Sequence, residues 1–332
     1  MNTPAVATTL VEVTEKLPIQ PPTRIFFKNE YQQPSGSFKL RGIGNLVGHS
    51  ITEARELGKM EVEVFSSSGG NAGLAAAYAS RHYGVPCTVV LPTTSKPVVI
   101  EKLKELGARV EVHGAHWGEA DSYLKNHLIK AAPSSTYPVY CHPFDDPIVW
   151  QGHATMIDEI VEQLDQDKSR IKGVVCSVGG GGLYNGIVEG LKRHDLHFPV
   201  LALETNQAPT FHKSAEADKI VHLDNITTLA TSLASPYLSE KSLQNFKTHP
   251  TSLLLLDDKD ALQGTLDLYD NFGILVEPAC GLTTSLAFSC QDQLTNQFGD
   301  LSRDQIIVFI ICGGSATNLD TLEEYRRLVN MT

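Results

Sequence analysis

No run of apolar residues in this sequence is long enough to cross a bilayer; Leu253–Leu256 and Ile306–Ile311 are short and read as buried strands. Basic charge is scarce. Against 38 Asp and Glu stand only 27 Lys and Arg, a formal net charge of −11, which argues against nucleic acid or an anionic membrane as partner. No block of like charge forms a tail. The six cysteines (Cys87, Cys141, Cys176, Cys280, Cys290, Cys312) contain no CxxC pair, so neither a disulfide frame nor a zinc site is supported and a reducing compartment is expected. The 12 histidines show no HExxH spacing. Residues 1–23 carry Glu12 and Glu15 and lack a cationic start followed by an apolar core, so they read as neither secretory signal nor transit peptide. Linkers rich in Gly, Ser or Pro and internal repeats are also missing.

What remains is a chain of 332 residues, 42% hydrophobic and 20% charged, suited to a soluble globular protein of two domains or lobes. Strand and helix patterns alternate along it, the signature of an α/β protein with mainly parallel sheets. Strand 62–65, helix 72–83 and strand 87–91 form one unit. Helix 97–106 leads through Gly107 to strand 109–112, and a helix near 117–131 precedes a strand at 138–141. Further on, helix 156–164, strand 173–178, helix 183–193 and strand 200–204 are expected. Helix 259–271, helix 281–290, strand 306–312 and a last helix at 318–330 complete the pattern.

Chemistry concentrates in four segments. Pro34-Ser35-Gly36-Ser37-Phe38-Lys39 places a lysine after small turn formers and beside an aromatic, just before a helix. A lysine partly desolvated in this way loses preference for its charged form, as a Schiff-base lysine requires. Ser66-Ser67-Ser68-Gly69-Gly70-Asn71 turns a strand into an Ala-rich helix, a geometry that offers hydroxyls and backbone N–H groups to an anion. Gly179-Gly180-Gly181-Gly182 does the same with no Cβ atoms in the way, so the backbone can close around a phosphate at a helix N-terminus. Ile311-Cys312-Gly313-Gly314-Ser315 ends the last apolar strand with a thiol near another glycine turn.

In this order the four segments resemble the pyridoxal-phosphate (PLP) enzymes of the tryptophan-synthase-β type, fold type II, and within them the catabolic L-serine/L-threonine dehydratases. The matching segments are PSGSFKLRGIGN (34–45), SSSGGNAG (66–73), HPFDDPIVWQGH (142–153), CSVGGGGLYNG (176–186), ET (204–205), EPACG (277–281) and CGGS (312–315). The resemblance implies a two-lobed α/β fold with parallel-rich twisted sheets flanked by helices. Residues 1–45 with 146–332 would form a large PLP-binding domain and 46–145 a small one, with the active site between them. It also implies a cytoplasmic homodimer acting in amino-acid catabolism and gluconeogenesis. The biosynthetic relatives append a regulatory domain after the last strand, and helix 318–330 leaves no room for one.

The roles follow from the resemblance residue by residue. Lys39 would hold the cofactor aldehyde and then take the substrate Cα proton. Phe38 would pack on the cofactor ring, and Gly179, Gly180, Gly181 and Gly182, with the Leu183 N–H, would hold its phosphate. Asn71 suits a hydrogen bond to the ring 3-oxygen; by itself it also reads as a helix N-cap. Ser68, Gly69 and Gly70, with Asn71, would hold the substrate carboxylate. Many relatives carry Ala at the position of Gly69, so extra room is expected there. Cys312 would face the pyridine nitrogen. A thiol is a weak neutral donor, so a poorer electron sink and elimination rather than transamination are expected; a buried thiol serving as a small hydrophobe fits the same position. Glu204 matches a ligand for a monovalent cation or a divalent metal (K+ or Mg2+), with oxygens from Ala208, Leu233 and Ser235. The departing β-hydroxyl would take its proton from the cofactor phosphate. His142 and His153 fall in a matched segment without a role. Competing readings are a β-replacement synthase of the cysteine synthase kind, a serine racemase, and a PLP-binding regulatory protein.

Overall fold

The computed structural model describes residues 2–95 and 97–331. In chain order its strands are β1 (Leu10–Glu12), β2 (Arg24–Lys28), β3 (Glu61–Ser66), β4 (Cys87–Leu91), β5 (Arg109–Val112), β6 (Thr136–Tyr140), β7 (Ile171–Ser177), β8 (Val200–Thr205), β9 (Thr251–Leu256) and β10 (Ile306–Ile310). Backbone contacts divide the chain into two compact units. One comprises Met1–Val6 with Gln33–His153, the other Ala7–Gln32 with Ala154–Thr332. The boundaries at 33 and 153 differ from the 45 and 146 expected from the resemblance.

The first unit holds a four-stranded sheet in the order β5-β4-β3-β6, parallel throughout. Parallel neighbours need crossovers, and the helices Asn71–Tyr83 and Pro97–Glu105 supply them. β4 is the sequence Cys-Thr-Val-Val-Leu, every residue of it buried, as a strand covered on both faces should be. The helix expected over 117–131 forms from Trp117, but its second half, Leu124–Ile129, winds as a π-helix.

The second unit holds a six-stranded sheet in the order β1-β2-β10-β7-β8-β9. Only the β1–β2 pair is antiparallel. β2 and β10 come from the two ends of the chain. Their pairing is tied at its start by Thr23, whose Oγ1 donates to the Gln305 carbonyl at 2.6 Å across a separation of 282 residues. β10 is wholly buried. β9 is not: it lies at the sheet edge and is half-buried along its length, so the expectation of a buried strand at Leu253–Leu256 is corrected.

Two further expectations shift. The helix expected from 156 begins at Pro147, where Asp146 Oδ1 accepts the N–H groups of Ile148 (2.7 Å) and Val149 (3.3 Å). The helix expected over 281–290 runs Pro278–Phe288, started by the Glu277-Pro278 pair. Proline at the first position of a helix forfeits only an N–H that has no intrahelical partner.

Candidate active site

Lys39 is the first residue of the helix Lys39–Glu56. That helix crosses Pro147–Leu164 at two glycines: a Cβ on Gly152 would lie 2.4 Å from the Arg41 carbonyl oxygen, and one on Gly42 would lie 2.6 Å from that of Val149. Backbone-to-backbone contact at this crossing brings the lysine to the loop that precedes the second helix. Its Nζ donates to the Pro143 carbonyl at 2.6 Å and lies 5.0 Å from the centroid of the Phe38 ring. The Pro143 loop is itself fixed. His142 Nδ1 accepts from the N–H groups of Phe144 (3.2 Å) and Asp145 (2.7 Å), and Trp150 Nε1 donates to the Phe144 carbonyl at 2.7 Å. An imidazole nitrogen that accepts two N–H groups carries no proton. Burial, followed by the Lys125 charge, depresses the His142 pKa to about 4. His153 lies behind Phe38, ring centroids 4.8 Å apart, fully buried and with neither ring nitrogen hydrogen-bonded. Burial, with Lys39 and Arg41 nearby, pushes its pKa well down.

The loop after β3 belongs to the same unit. Gly70, not Asn71, is the N-cap of the helix Asn71–Tyr83, and no side chain caps that end. The N-cap alternative for Asn71 is therefore not realised; the residue stands at the first helical position. Ser68 Oγ accepts the Gly70 N–H at 3.3 Å. The room expected at Gly69 is filled: a Cβ there would lie 2.8 Å from Ser95 Oγ and 3.4 Å from Leu91 Cδ2.

In the second unit the four glycines link β7 to the helix Gly182–Arg193, whose N-cap, Gly181, has φ +96° and offers no side chain. A side chain at Gly181 would be strained by that φ, and its Cβ would fall 2.0 Å from Ser242 Oγ. A Cβ on Gly179 would lie 3.1 Å from Leu233 Cα. The turn is thus a cradle of backbone at an uncapped helix N-terminus, with Leu183 one residue inside. The helix dipole and unpaired N–H groups of such an end suit a dianion without any arginine.

Cys312 follows β10 and is buried. A hydrogen bond with the Cys280 thiol, then burial, raises its pKa well above that of a free thiol, and Ser177 at the end of β7 works the other way. The group is a neutral thiol. Glu277, the N-cap of Pro278–Phe288, reaches the same turn, accepting the Ala316 N–H at 3.0 Å and the Ser232 hydroxyl.

Glu204 is the penultimate residue of β8, buried, with its carboxylate at the start of the helix Thr210–Glu216. It accepts the N–H groups of Phe211 (2.6 Å) and His212 (2.8 Å). Burial pushes its pKa up to about 8 against these bonds. Thr210 ties the other expected cation ligands to it: its N–H donates to the Ala208 carbonyl at 3.0 Å and its hydroxyl to the Ser235 carbonyl at 2.9 Å. The Leu233 carbonyl accepts the Ser235 N–H at 2.7 Å. Among the described residues no group of three or more His, Cys, Asp and Glu side chains could hold a metal ion. Any cation here would rest on one carboxylate and backbone oxygens.

Three participants lie in segments quoted above but receive no role from the sequence. Pro143 contributes a backbone oxygen, for which no side-chain signal exists. Glu277 could have been found from the Glu-Pro helix start. His153 carries no local signal, because its environment is made by Phe38 and Gly42, distant in sequence.

Residues 3–313 match the family described as "Pyridoxal-phosphate dependent enzyme". The chain is 42% identical over 308 residues to the catabolic L-serine/threonine dehydratase of Saccharomyces cerevisiae, covering 91% of this chain and 85% of that protein. With the L-serine dehydratase/L-threonine deaminase of Homo sapiens it shares 38% over 313 residues, 93% and 91% of the two chains. Among solved structures, the fungal L-serine ammonia-lyase from Rhizomucor miehei matches with a TM-score of 0.86 at 30% identity, covering 98% of this chain and 99% of that one.

Proposed function

We propose that this chain, which belongs to the family of pyridoxal-phosphate dependent enzymes, deaminates L-serine to pyruvate and ammonia and L-threonine to 2-oxobutanoate. The observation that carries the reading is the Lys39 amine held on the Pro143 carbonyl beside the Phe38 ring, at the head of a helix locked by two glycines. The activities named for the yeast, human and Rhizomucor proteins support it.

The residues present fit the cofactor. The turn Gly179–Gly182 is packed so closely that a Cβ on Gly179 would press on Leu233 and one on Gly181 on Ser242, and the helix end behind it has no side-chain cap. Pyridoxal 5'-phosphate, when bound, supplies an aldehyde that joins an amine and a ring that draws electrons from the amino-acid Cα. Lys39 would anchor it, with Phe38 beside the ring and Asn71 as the partner of the 3-oxygen. Gly179, Gly180, Gly181, Gly182 and the Leu183 N–H receive the phosphate. Ser68, Gly69, Gly70 and Asn71 hold the substrate carboxylate, with Ser95 closing the side that Gly69 leaves open. Lys39 Nζ takes the Cα proton, a step an amine performs only when unprotonated. Cys312, kept neutral by Cys280 and burial, would offer the ring nitrogen no full charge, which would favour elimination over transamination.

Glu204, Ala208, Leu233 and Ser235 are assigned to a monovalent cation, K+, or to Mg2+. A carboxylate that burial pushes up to about 8 would be held ionised by an adjacent cation. A rise in melting temperature with KCl over an organic cation of equal strength, absent in Glu204→Gln, tests it. We further assign the protein to the cytoplasm as a homodimer, and a large domain of residues 1–45 and 146–332 with a small domain of 46–145. No helix among the described residues is long and apolar enough to cross a membrane.

Purified protein incubated with pyridoxal phosphate and L-serine should release pyruvate. D-serine without pyruvate would assign racemisation instead, and a β-substituted product with added thiol would assign a synthase. A protein that binds the cofactor and yields none of these would be the regulatory alternative.

A further inference from the structure

Asp121 lies on the helix Trp117–Tyr123, outside every segment so far given a role. It is buried, and so is Ser67, the residue immediately before the proposed carboxylate loop. Asp121 Oδ1 accepts two hydroxyls, that of Ser67 at 2.7 Å and that of Tyr140 at 2.6 Å. Its other oxygen, Oδ2, pairs with Lys125 Nζ at 2.8 Å. Lys125 sits in the π-helical turn, and its ammonium stands 4.4 Å from the centroid of the Tyr140 ring. The carboxylate therefore ties three elements together: the end of β3, the end of β6 and the helix that crosses between β5 and β6.

This arrangement is not explained by packing alone. A buried carboxylate is expensive unless its lone pairs and charge are all met, and here they are. Burial raises the Asp121 pKa, but Lys125, Tyr140 and Ser67 outweigh it, so the group is ionised. What the cluster holds still is the hydroxyl of Ser67, and through it the backbone that leads into Ser68, Gly69, Gly70 and Asn71. A loop that must present N–H groups and hydroxyls to an anion gains from being fixed before the anion arrives, since ordering it afterwards would be subtracted from affinity. The Lys125 charge cancels that of Asp121, so a negative side chain can anchor the loop without repelling a carboxylate bound next to it.

We infer that Asp121 is a positioning residue for substrate, acting through Ser67 to pre-set the carboxylate-binding loop, with Lys125 balancing its charge. The inference rests on the assignment of Ser68–Asn71 to the substrate carboxylate. It separates Asp121 from residues that serve the cofactor: substrate affinity should depend on it, and attachment of the cofactor to Lys39 should not.

The test uses the cofactor-loaded protein and the variants Asp121→Ala, Asp121→Asn and Ser67→Ala. Two quantities are measured besides activity: the visible spectrum of the bound cofactor, and the dissociation constant of L-alanine, which has the carboxylate and amine of serine but no leaving group, followed by the spectral change on binding. Asp121→Ala should keep the wild-type resting spectrum while KM for L-serine and the L-alanine dissociation constant rise at least tenfold, with kcat within about threefold. Asp121→Asn, which keeps an oxygen for both hydroxyls, should recover most of that loss. Ser67→Ala should repeat the Asp121→Ala effect and decides the matter if Asp121→Ala fails to fold. Wild-type L-alanine affinity in Ser67→Ala, or a fall in kcat at constant KM, would overturn the inference alone. A wild-type protein that neither turns over L-serine nor binds L-alanine would overturn the dehydratase reading and this inference with it.

Discussion

His142 Nδ1 accepts the backbone N–H of Asp145 at 2.7 Å, and the carbonyl between the two residues, that of Pro143, receives the Lys39 amine. The neutral imidazole is thus a structural acceptor for the loop that holds the lysine. Its folded pKa of about 4 lies below the ordinary 6.5, so the unfolded chain binds the proton first. Stability from this group is fully present above pH 6.5 and is lost as pH falls toward 4. The charged groups acting on it are Lys125, Asp121 and Lys39. Urea midpoints measured between pH 7 and 4 should fall, and His142→Asn should flatten the slope. Some slope should persist, because His153 is depressed in the same direction.

Lys39→Ala should abolish the visible absorbance of the cofactor-bound protein and the pyruvate-forming activity while leaving the far-ultraviolet circular dichroism intact. Borohydride reduction of the wild type followed by peptide mapping should place the pyridoxyl label on Lys39. A label on any other lysine sinks the assignment.

Gly180→Asp puts a negative side chain into the glycine turn. Loss of one charge-assisted hydrogen bond is worth on the order of 1.5–3 kcal/mol, so cofactor affinity should drop at least about tenfold, with repulsion adding to it. Gly190 is unsuited as the control, although it lies inside the following helix, because a Cβ there would meet Ile157 Cβ at 2.6 Å and the Ala154 carbonyl at 2.9 Å. Arg193→Ala, at the far end of the same helix, serves instead. Equal cofactor dissociation constants for Gly180→Asp and Arg193→Ala would refute the cradle.

Cys312→Ser should keep substantial dehydratase activity, since a hydroxyl is also a neutral partner. Cys312→Asp should slow pyruvate formation and make exchange of the substrate Cα proton with deuterated buffer detectable, provided the carboxyl ionises beside Glu277 and the Cys280 thiol. If Cys312→Asp binds the cofactor, shows no exchange and eliminates at the wild-type rate, Cys312 is packing only.

Much of this architecture is legible in the sequence because its signals are local. β4 and β5 fall where Pro86 and Gly107 punctuate the pattern, and Gly182–Arg193 follows its four glycines. Errors arise where the deciding interaction is elsewhere. Helix Pro147–Leu164 starts nine residues early against its apolar pattern because Asp146 and Pro147 form a cap, a signal present but outweighed by periodicity. β1 and β2 escape notice, since short strands near a terminus acquire meaning only from β10. Asn71 sits one position past the cap that its residue type suggests, with Gly70 in its place. Asp121 offers no clue at all: a lone acid in an amphipathic helix reads as a solvated charge until Ser67 and Tyr140, one distant in the chain, are seen to share one of its oxygens.

The bond from Thr23 to Gln305 has a bearing on synthesis. β2 lies between β1 and β10, so the β1–β2 hairpin has no further partner until residues 306–310 have been made. At ribosomal rates a gap of that size lasts roughly 15–60 s, far longer than a hairpin takes to form or fray. Residues 33–153 emerge whole within that interval and can fold first, while the apolar face of Ile25, Phe26 and Phe27 waits. Among the described residues β10 is the strand that joins β2 to β7 in the larger sheet, so a chain that stops short of residue 306 would leave an uncovered edge on β2 and on β7 alike, and should be retained by chaperones rather than released.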